Sequence, residues 1–421
     1  MFKFLHAADI HLDSPLRGLE QYDGAPVEQI RGATRQAFVN LVDLAIAERV
    51  AFVLLAGDLY DGDWKDYNTG LFFAAQMTRL REAGIRAFLI AGNHDAASQL
   101  TRYLRLPDNV TMFSVQQPET VHLDAFNVAL HGQGFYARAV TDDLSVAYPQ
   151  PEPHLLNIGL LHTSVDGREG HEPYAPCSRD GLLLKGYDYW ALGHVHRREI
   201  LHREPWIVFP GNIQGRHVRE VGPKGCTLVT VQGDQIISAT HRDLDVLRWA
   251  VCNVDVSGAA TADDVVDHVR QALERELAAS GGRPLAVRVR LLGACKAHGE
   301  LAAHHERWTN EIRTVATDVG NGTLWIEQVK LHTHAQADLD QMLARDDAMG
   351  DLLRSLLDWD TDEPFLQEVA NEFRDLVRKL PAELRSGDEA IDLNNPQTLR
   401  QAAEDVKHLL LARLLSQEDG R

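Results

Sequence analysis

Phe2-Lys3-Phe4-Leu5-His6-Ala7-Ala8-Asp9-Ile10-His11 is a short apolar run that ends on a carboxylate and an imidazole. The same pattern returns along the chain. Residues 52–56 run into Gly57-Asp58, and residues 87–91 into Gly92-Asn93-His94-Asp95. Residues 157–161 run into His162, and residues 189–193 into His194-Val195-His196. Short apolar runs bounded by turn residues read as buried strands. In open α/β sheets ligands gather beyond the carboxyl ends of strands, so groups as far apart as positions 9 and 196 can meet.

Working outward, further strand candidates are 128–131, 207–210 and 227–231, and helical spacing runs over 27–48 and 69–83. This alternation predicts an α/β (α+β layered) domain over residues 1–242. A second unit over 246–333 reads as strand (250–256), helix (262–279), strand (285–292), helix (299–317) and strand (322–331), a small α/β domain. From 336 to 421 no strand is evident; apolar residues recur at three and four over 349–357, 365–380 and 399–415, with Pro364 and Pro396 marking helix starts. At 421 residues, several domains are expected.

Composition narrows the class. With 44% apolar and 24% charged residues, the chain is ordinary globular material. No apolar run is long enough for a membrane span, and the opening turns polar too early for a signal peptide. Cys177, Cys226, Cys252 and Cys295 are scattered, which suggests neither a disulfide framework nor a zinc ribbon and fits a reducing cytoplasm. The formal charge of −19 argues against a broadly basic nucleic-acid binder, although one groove can differ from the whole.

Seven side chains carry the chemistry: Asp9, His11, Asp58, Asn93, His162, His194 and His196. Mixed imidazole and oxygen donors suit manganese, iron or zinc better than calcium, with magnesium less suited to the nitrogens. Two cations about 3.5–4 Å apart can clamp the attacking and leaving oxygens of a phosphate ester. One Asp-x-His or Gly-His-x-His would mean little, because a lone histidine is ordinarily structural. Five such motifs in order after strands carry far more weight.

Each motif resembles those of the calcineurin-like metallophosphoesterases, and their order and spacing are similar to the SbcD-like DNA-repair nucleases. Within that group, His6-Ala7-Ala8-Asp9-Ile10-His11-Leu12-Asp13-Ser14-Pro15 and Pro210-Gly211-Asn212-Ile213-Gln214-Gly215-Arg216 most resemble the YhaO-like exonucleases. The resemblance implies a β-sandwich flanked by helices, a capping domain and a helical C-terminal extension. It implies that Asp9, His11 and His196 hold one metal, that Asn93, His162 and His194 hold the other, and that Asp58 bridges them. His94 is then left to protonate the leaving oxygen or to clamp a phosphate. Asp95 and Asp61 are candidates for orienting imidazoles from behind.

The function implied is a manganese-preferring DNA exonuclease of 3′ to 5′ polarity acting in DNA repair. The resemblance makes it the nuclease subunit of a complex with an SMC-like (SbcC-like) ABC ATPase. Arg17, Arg197, Arg198, Arg216, Arg219 and Lys224 lie near the motifs and could contact DNA phosphates. The ATPase would dock on the C-terminal helices, for which Leu352, Leu353, Leu356, Leu357, Leu409, Leu410, Leu411, Leu414 and Leu415 offer an apolar face; each could equally pack within its own domain. A homodimer is a family-level expectation. The alternatives are a phosphodiesterase or phosphatase acting on a small nucleotide or phosphoprotein, and a non-catalytic adaptor for DNA ends or the ATPase.

Overall fold

The computed structural model describes residues 1–14, 16, 32–60, 67–97, 106–167, 174–335, 344, 346–357, 363–373 and 395–416. It separates into two compact units: one of Met1–Val251, Leu277–Val287 and Thr323–Glu327, and one of Cys252–Glu276, Arg288–Gly322 and Gln328–Arg421.

In chain order the first unit contains β1 (Phe2–Ala7), α1 (Ala33–Ala47), β2 (Phe52–Ala56), α2 (Tyr67–Glu82), β3 (Arg86–Ile90), α3 (Asn93–Ala97) and β4 (Val110–Met112). Next come β5 (Glu119–Leu123), β6 (Val128–Gly132), β7 (Leu156–His162), α4 (Arg179–Lys185) and β8 (Tyr189–Gly193). After them follow β9 (Glu199–Arg203), β10 (Trp206–Phe209), β11 (Gly225–Gln232) and β12 (Gln235–Asp243).

Two mixed sheets result, ordered β12-β11-β1-β2-β3-β4 and β5-β6-β7-β8-β10-β9. β1 to β4 are parallel neighbours, as are β6, β7, β8 and β10, so their carboxyl ends emerge along one edge of each sheet. One apolar layer holds the inner faces together: Phe4, Leu54 and Phe88 from the first sheet, with Leu130, Ile158 and Tyr189 from the second. The outer face of the first sheet packs on α1 and α2 through Phe38, Leu41, Phe73 and Met77. The second sheet is covered by α4 and neighbouring loops around Trp190, Leu182 and Tyr148. Being covered on both sides explains why β2, β6, β7 and β8 are buried at every residue and read as unbroken apolar runs. This four-layer arrangement agrees with the expected helix-flanked sandwich.

β4, β5, β9 and β12 were not expected from the sequence, and all four are sheet edges. Their residues are largely half-buried or exposed, so no continuous apolar run marks them. The helix expected over 27–48 is seen from Ala33, and residues 27–31 lie outside the described set.

Further along lie β13 (Arg248–Asp255), α5 (Ala262–Ala279), β14 (Leu285–Cys295), α6 (His298–Ala303), α7 (His305–Gly320) and β15 (Leu324–Ala335). β13, β14 and β15 form a three-stranded sheet in that order. The single helix expected over 299–317 is instead two, interrupted at His304, whose φ of −122° and ψ of 39° break the helical path. The tail contributes α8 (Ala348–Leu357), α9 (Glu363–Glu372) and α10 (Pro396–Ser416), with α8 and α9 each touching α10. Of the leucines singled out there, Leu352 and Leu410 are exposed, and the other seven side chains lie outside the described set. All four cysteines are buried as free thiols. Among the described residues, no helix is long and apolar enough to cross a membrane.

Candidate metal centre

Where the strands end, the backbone turns sharply. Asp9, His11, Asp58 and His194 all adopt positive φ, at 51°, 47°, 53° and 101°. Non-glycine residues seldom do so, and such strain concentrates where a side chain must be aimed. The turns brace one another: the Asp9 N–H donates to Gly57 O at 3.1 Å, and the His11 N–H to Asp58 O at 3.0 Å. Two glycines permit the approach. A Cβ on Gly92 would lie 2.3 Å from Asp58 Oδ1, and one on Gly193 would lie 1.9 Å from Ala56 O.

The seven side chains singled out from the sequence meet here. His11 Nε2 and His196 Nε2 face each other at 3.3 Å, with Asp9 Oδ1 3.9 Å from the latter. Asn93 Oδ1 is 3.0 Å from His162 Nε2. Asp58 Oδ2 stands between the groups, 3.5 Å from His162 Nε2 and 3.9 Å from His11 Nε2. The His194 ring lies 5.3 Å from that of His162, centroid to centroid, and its backbone N–H donates to both Asp9 oxygens at 3.0 and 3.1 Å. The His94 ring is 5.0 Å from that of His11, and the His94 backbone N–H donates to Asp58 Oδ1 at 2.9 Å.

This donor set fits divalent cations. His162 Nδ1 donates to Ala56 O at 2.9 Å, which turns Nε2 toward two acceptor oxygens. Something positive has to sit among them. Without metal it is a proton: burial opposes the imidazolium, but Asp58 and Asp9 carry His162 up to about 9. Burial would raise Asp58, yet His162, His11 and His94 hold it well below the ordinary carboxylate range. Asp9 is pushed up by burial, against the pull of His196 and His162. Among the described residues, three sets have ligand atoms all within 4.8 Å of one another inside the set: Asp9, His11 and His196; Asp9, Asp58 and His162; and His11, Asp58 and His94. Buried carboxylates so close together are costly unless cations neutralise them.

A pH dependence follows. Because the folded pKa of His162 lies above its free value of 6.5, the stability gained from its proton is complete below about pH 6.5 and lost as pH rises through about 9. A metal requires the neutral ring and must displace that proton. Mn²⁺ affinity measured by titration calorimetry is therefore expected to rise from about pH 6.5 to about pH 8.5. An affinity that stays flat or falls over that range would contradict the assignment.

The other residues singled out from the sequence have these surroundings. Asp95 accepts N–H groups from Leu59, Tyr60 and Gly92 at 3.0–3.1 Å, so it stitches together the loops carrying Asp58 and Asn93. Burial and the neighbouring Asp58 raise it to about 6. Lys224 is buried and donates to His196 O at 3.0 Å, which gives it an internal partner. Arg216 is mostly buried, with its guanidinium 3.3 Å from Ser14 Oγ and 3.6 Å from Glu220 Oε1. Arg197 and Arg219 are exposed, and Arg198 is half-buried. Asp61 and Arg17 lie outside the described residues.

Sequence reasoning missed three contacts. Glu220 Oε1 accepts from His196 Nδ1 at 2.6 Å, the Phe135 ring stands edge-on to His162 at 5.4 Å, and Tyr174 lies 5.8 Å from His194. None follows a strand-end motif. The only pointer was the turn from Pro210 to Arg216, just upstream of Glu220.

Known metallophosphoesterases resemble this chain in sequence. The family model for calcineurin-like phosphoesterases matches residues 2–198, and that for the middle domain of metallophosphoesterase YhaO matches residues 249–334. A Bacillus subtilis (strain 168) protein described as an uncharacterized metallophosphoesterase, YhaO, is 37% identical over 294 residues, covering 69% of this chain and 71% of its own. The DNA double-strand break repair protein Mre11 of Sulfolobus acidocaldarius is 25% identical over 284 residues, covering 65% of this chain and 69% of its own. Among solved structures, a dimetal phosphatase from Danio rerio aligns at 13% identity and a TM-score of 0.37, over 58% of this chain and 96% of that one.

Proposed function

Because this chain belongs to the calcineurin-like metallophosphoesterase family, with a YhaO-type middle domain at residues 249–334, we propose that its metal centre hydrolyses phosphodiesters in DNA. The observation that carries the reading is the meeting of Asp9, His11, Asp58, Asn93, His162, His194 and His196 at the ends of two sheets. Asp9, His11 and His196 would hold one cation, Asn93, His162 and His194 the other, with Asp58 available to both. Bound there, the cations supply Lewis acidity at the phosphoryl group and lower the pKa of attacking water. Manganese is the metal we assign to both positions.

The chain itself does the rest. Turns strained at Asp9, His11, Asp58 and His194 pre-aim the donors, so little reorganisation is needed when substrate arrives. The His94 imidazole, grouped with His11 and Asp58, would give a proton to the departing sugar oxygen. DNA as substrate is supported by the likeness to the Mre11 relative. Arg197 and Arg219, both exposed and next in sequence to His196 and Glu220, would hold flanking phosphates without reading sequence. We assign 3′ to 5′ polarity and a role in DNA repair. We assign residues 1–242 to the nuclease domain, 246–333 to the capping domain and 336–421 to a region that would dock an SMC-like ATPase partner; Leu352 and Leu410 are exposed there.

The test compares the purified chain with Mn²⁺ on 3′-end-labelled duplex DNA, a cyclic nucleotide and a phosphopeptide. Release of mononucleotides from DNA at a rate well above turnover of the other two is expected. Intact DNA alongside rapid turnover of a small ester would overturn the DNA assignment and leave a small-molecule phosphoesterase.

A further inference from the structure

We propose that Glu220 is the positioning residue of His196, fixing its tautomer and ring angle so that the Nε2 lone pair faces the cation shared with Asp9 and His11. The inference rests on the two-metal reading above. His196 lies in the turn after β8, where its side chain keeps 21% exposure, more than the fully buried His11 and His162. A ring so placed is not held by packing alone. Glu220, 6% exposed, presents Oε1 to His196 Nδ1 at 2.6 Å.

The other carboxylate oxygen is anchored separately. Glu220 Oε2 accepts from Asn212 Nδ2 at 2.9 Å and from the Arg216 N–H at 2.6 Å. Asn212, itself buried, also donates to Gln214 O at 2.8 Å, tying the carboxylate to the turn after β10. His217 Nε2 and the Arg216 guanidinium each stand 3.6 Å from Oε1, and the guanidinium balances the buried charge. One oxygen thus clamps the carboxylate and the other addresses the imidazole.

The tautomer follows from that contact. With a carboxylate 2.6 Å away, Nδ1 must carry the proton, because its lone pair would otherwise oppose the anion. Nε2 is then unprotonated and can offer its lone pair to a cation; it points toward His11 Nε2 at 3.3 Å and Asp9 Oδ1 at 3.9 Å. A carboxylate behind a ligating histidine sets ring orientation and raises ligand basicity, and its loss typically weakens metal binding about 10–100-fold.

The experiment measures Mn²⁺ uptake by the full chain, using titration calorimetry and electron paramagnetic resonance. In Glu220→Gln, one of two ions is expected to bind about 10–100-fold more weakly while the other keeps its affinity. Glu220→Asp, which retains the charge at a longer reach, should fall between Glu220→Gln and the native chain. It also takes the place of Glu220→Gln should that variant not fold. In a His196→Gln background the same ion is already weakened, so adding Glu220→Gln should cost nothing further. Unchanged affinity for both ions in Glu220→Gln, or an undiminished added loss in the double variant, would overturn the proposal. If the native chain takes up fewer than two ions, the two-metal reading falls first and takes the positioning role with it.

Discussion

Replacing Asp58 by asparagine is expected to lower phosphodiester turnover at least about 100-fold, on the scale of removing one preorganised charge from a reaction centre. Asparagine has the same shape and tolerates the positive φ of 53° at this position, so the turn survives. What disappears is the anion standing 3.5 Å from His162 Nε2 and 3.9 Å from His11 Nε2. On the proposed ligand set both cations would lose a shared ligand, and Mn²⁺ uptake should weaken in parallel. His94→Gln separates metal holding from proton transfer. As a proton donor, His94 should cost about 10²–10⁴-fold in rate when replaced, with metal stoichiometry unchanged. Its imidazole also belongs to the group with His11 and Asp58, however. A His94→Gln chain that loses an ion would make it a ligand, and near-native rates in both variants would remove the mechanism.

The second large effect lies in the backbone. In Gly193→Ala, the new Cβ would sit 1.9 Å from Ala56 O and 2.8 Å from His162 Nδ1. That places a methyl group on the hydrogen bond that orients His162, where β8 passes the end of β2. Backbone cannot swing aside as a long side chain can. A loss of about 3 kcal/mol or more is expected, at the upper end for overpacking, with metal binding impaired in whatever remains folded. Gly299→Ala in α6 is the control, since nothing lies within 4 Å of its Cβ. There alanine should be neutral or add up to about 1 kcal/mol through helix propensity. The two urea midpoints would be compared, and equal midpoints would contradict the steric argument.

Legibility in the sequence followed burial. β2, β6, β7 and β8, enclosed on both faces, stand out as apolar runs, whereas the edge strands β4, β5, β9 and β12 do not. The donors share that visibility because each follows a strand end. Asp95 illustrates the limit. Its place beside Asn93-His94 suggested support for an imidazole; that its carboxylate also accepts three loop N–H groups was not legible, because two of the donors, Leu59 and Tyr60, come from a distant loop. Arg216 and Lys224 looked like phosphate contacts from their charge, and folding gives both of them internal partners.

By itself the sequence determined which groups are available and in what order the strands deliver them, because residue chemistry and strand periodicity are local. Only the tertiary structure decided that His11 and His196 face each other at 3.3 Å, that Gly193 must pass against Ala56, and that Glu220 backs His196. Those distances depend on how two sheets and their loops stack through a shared apolar layer, a cooperative property of side chains far apart in the chain.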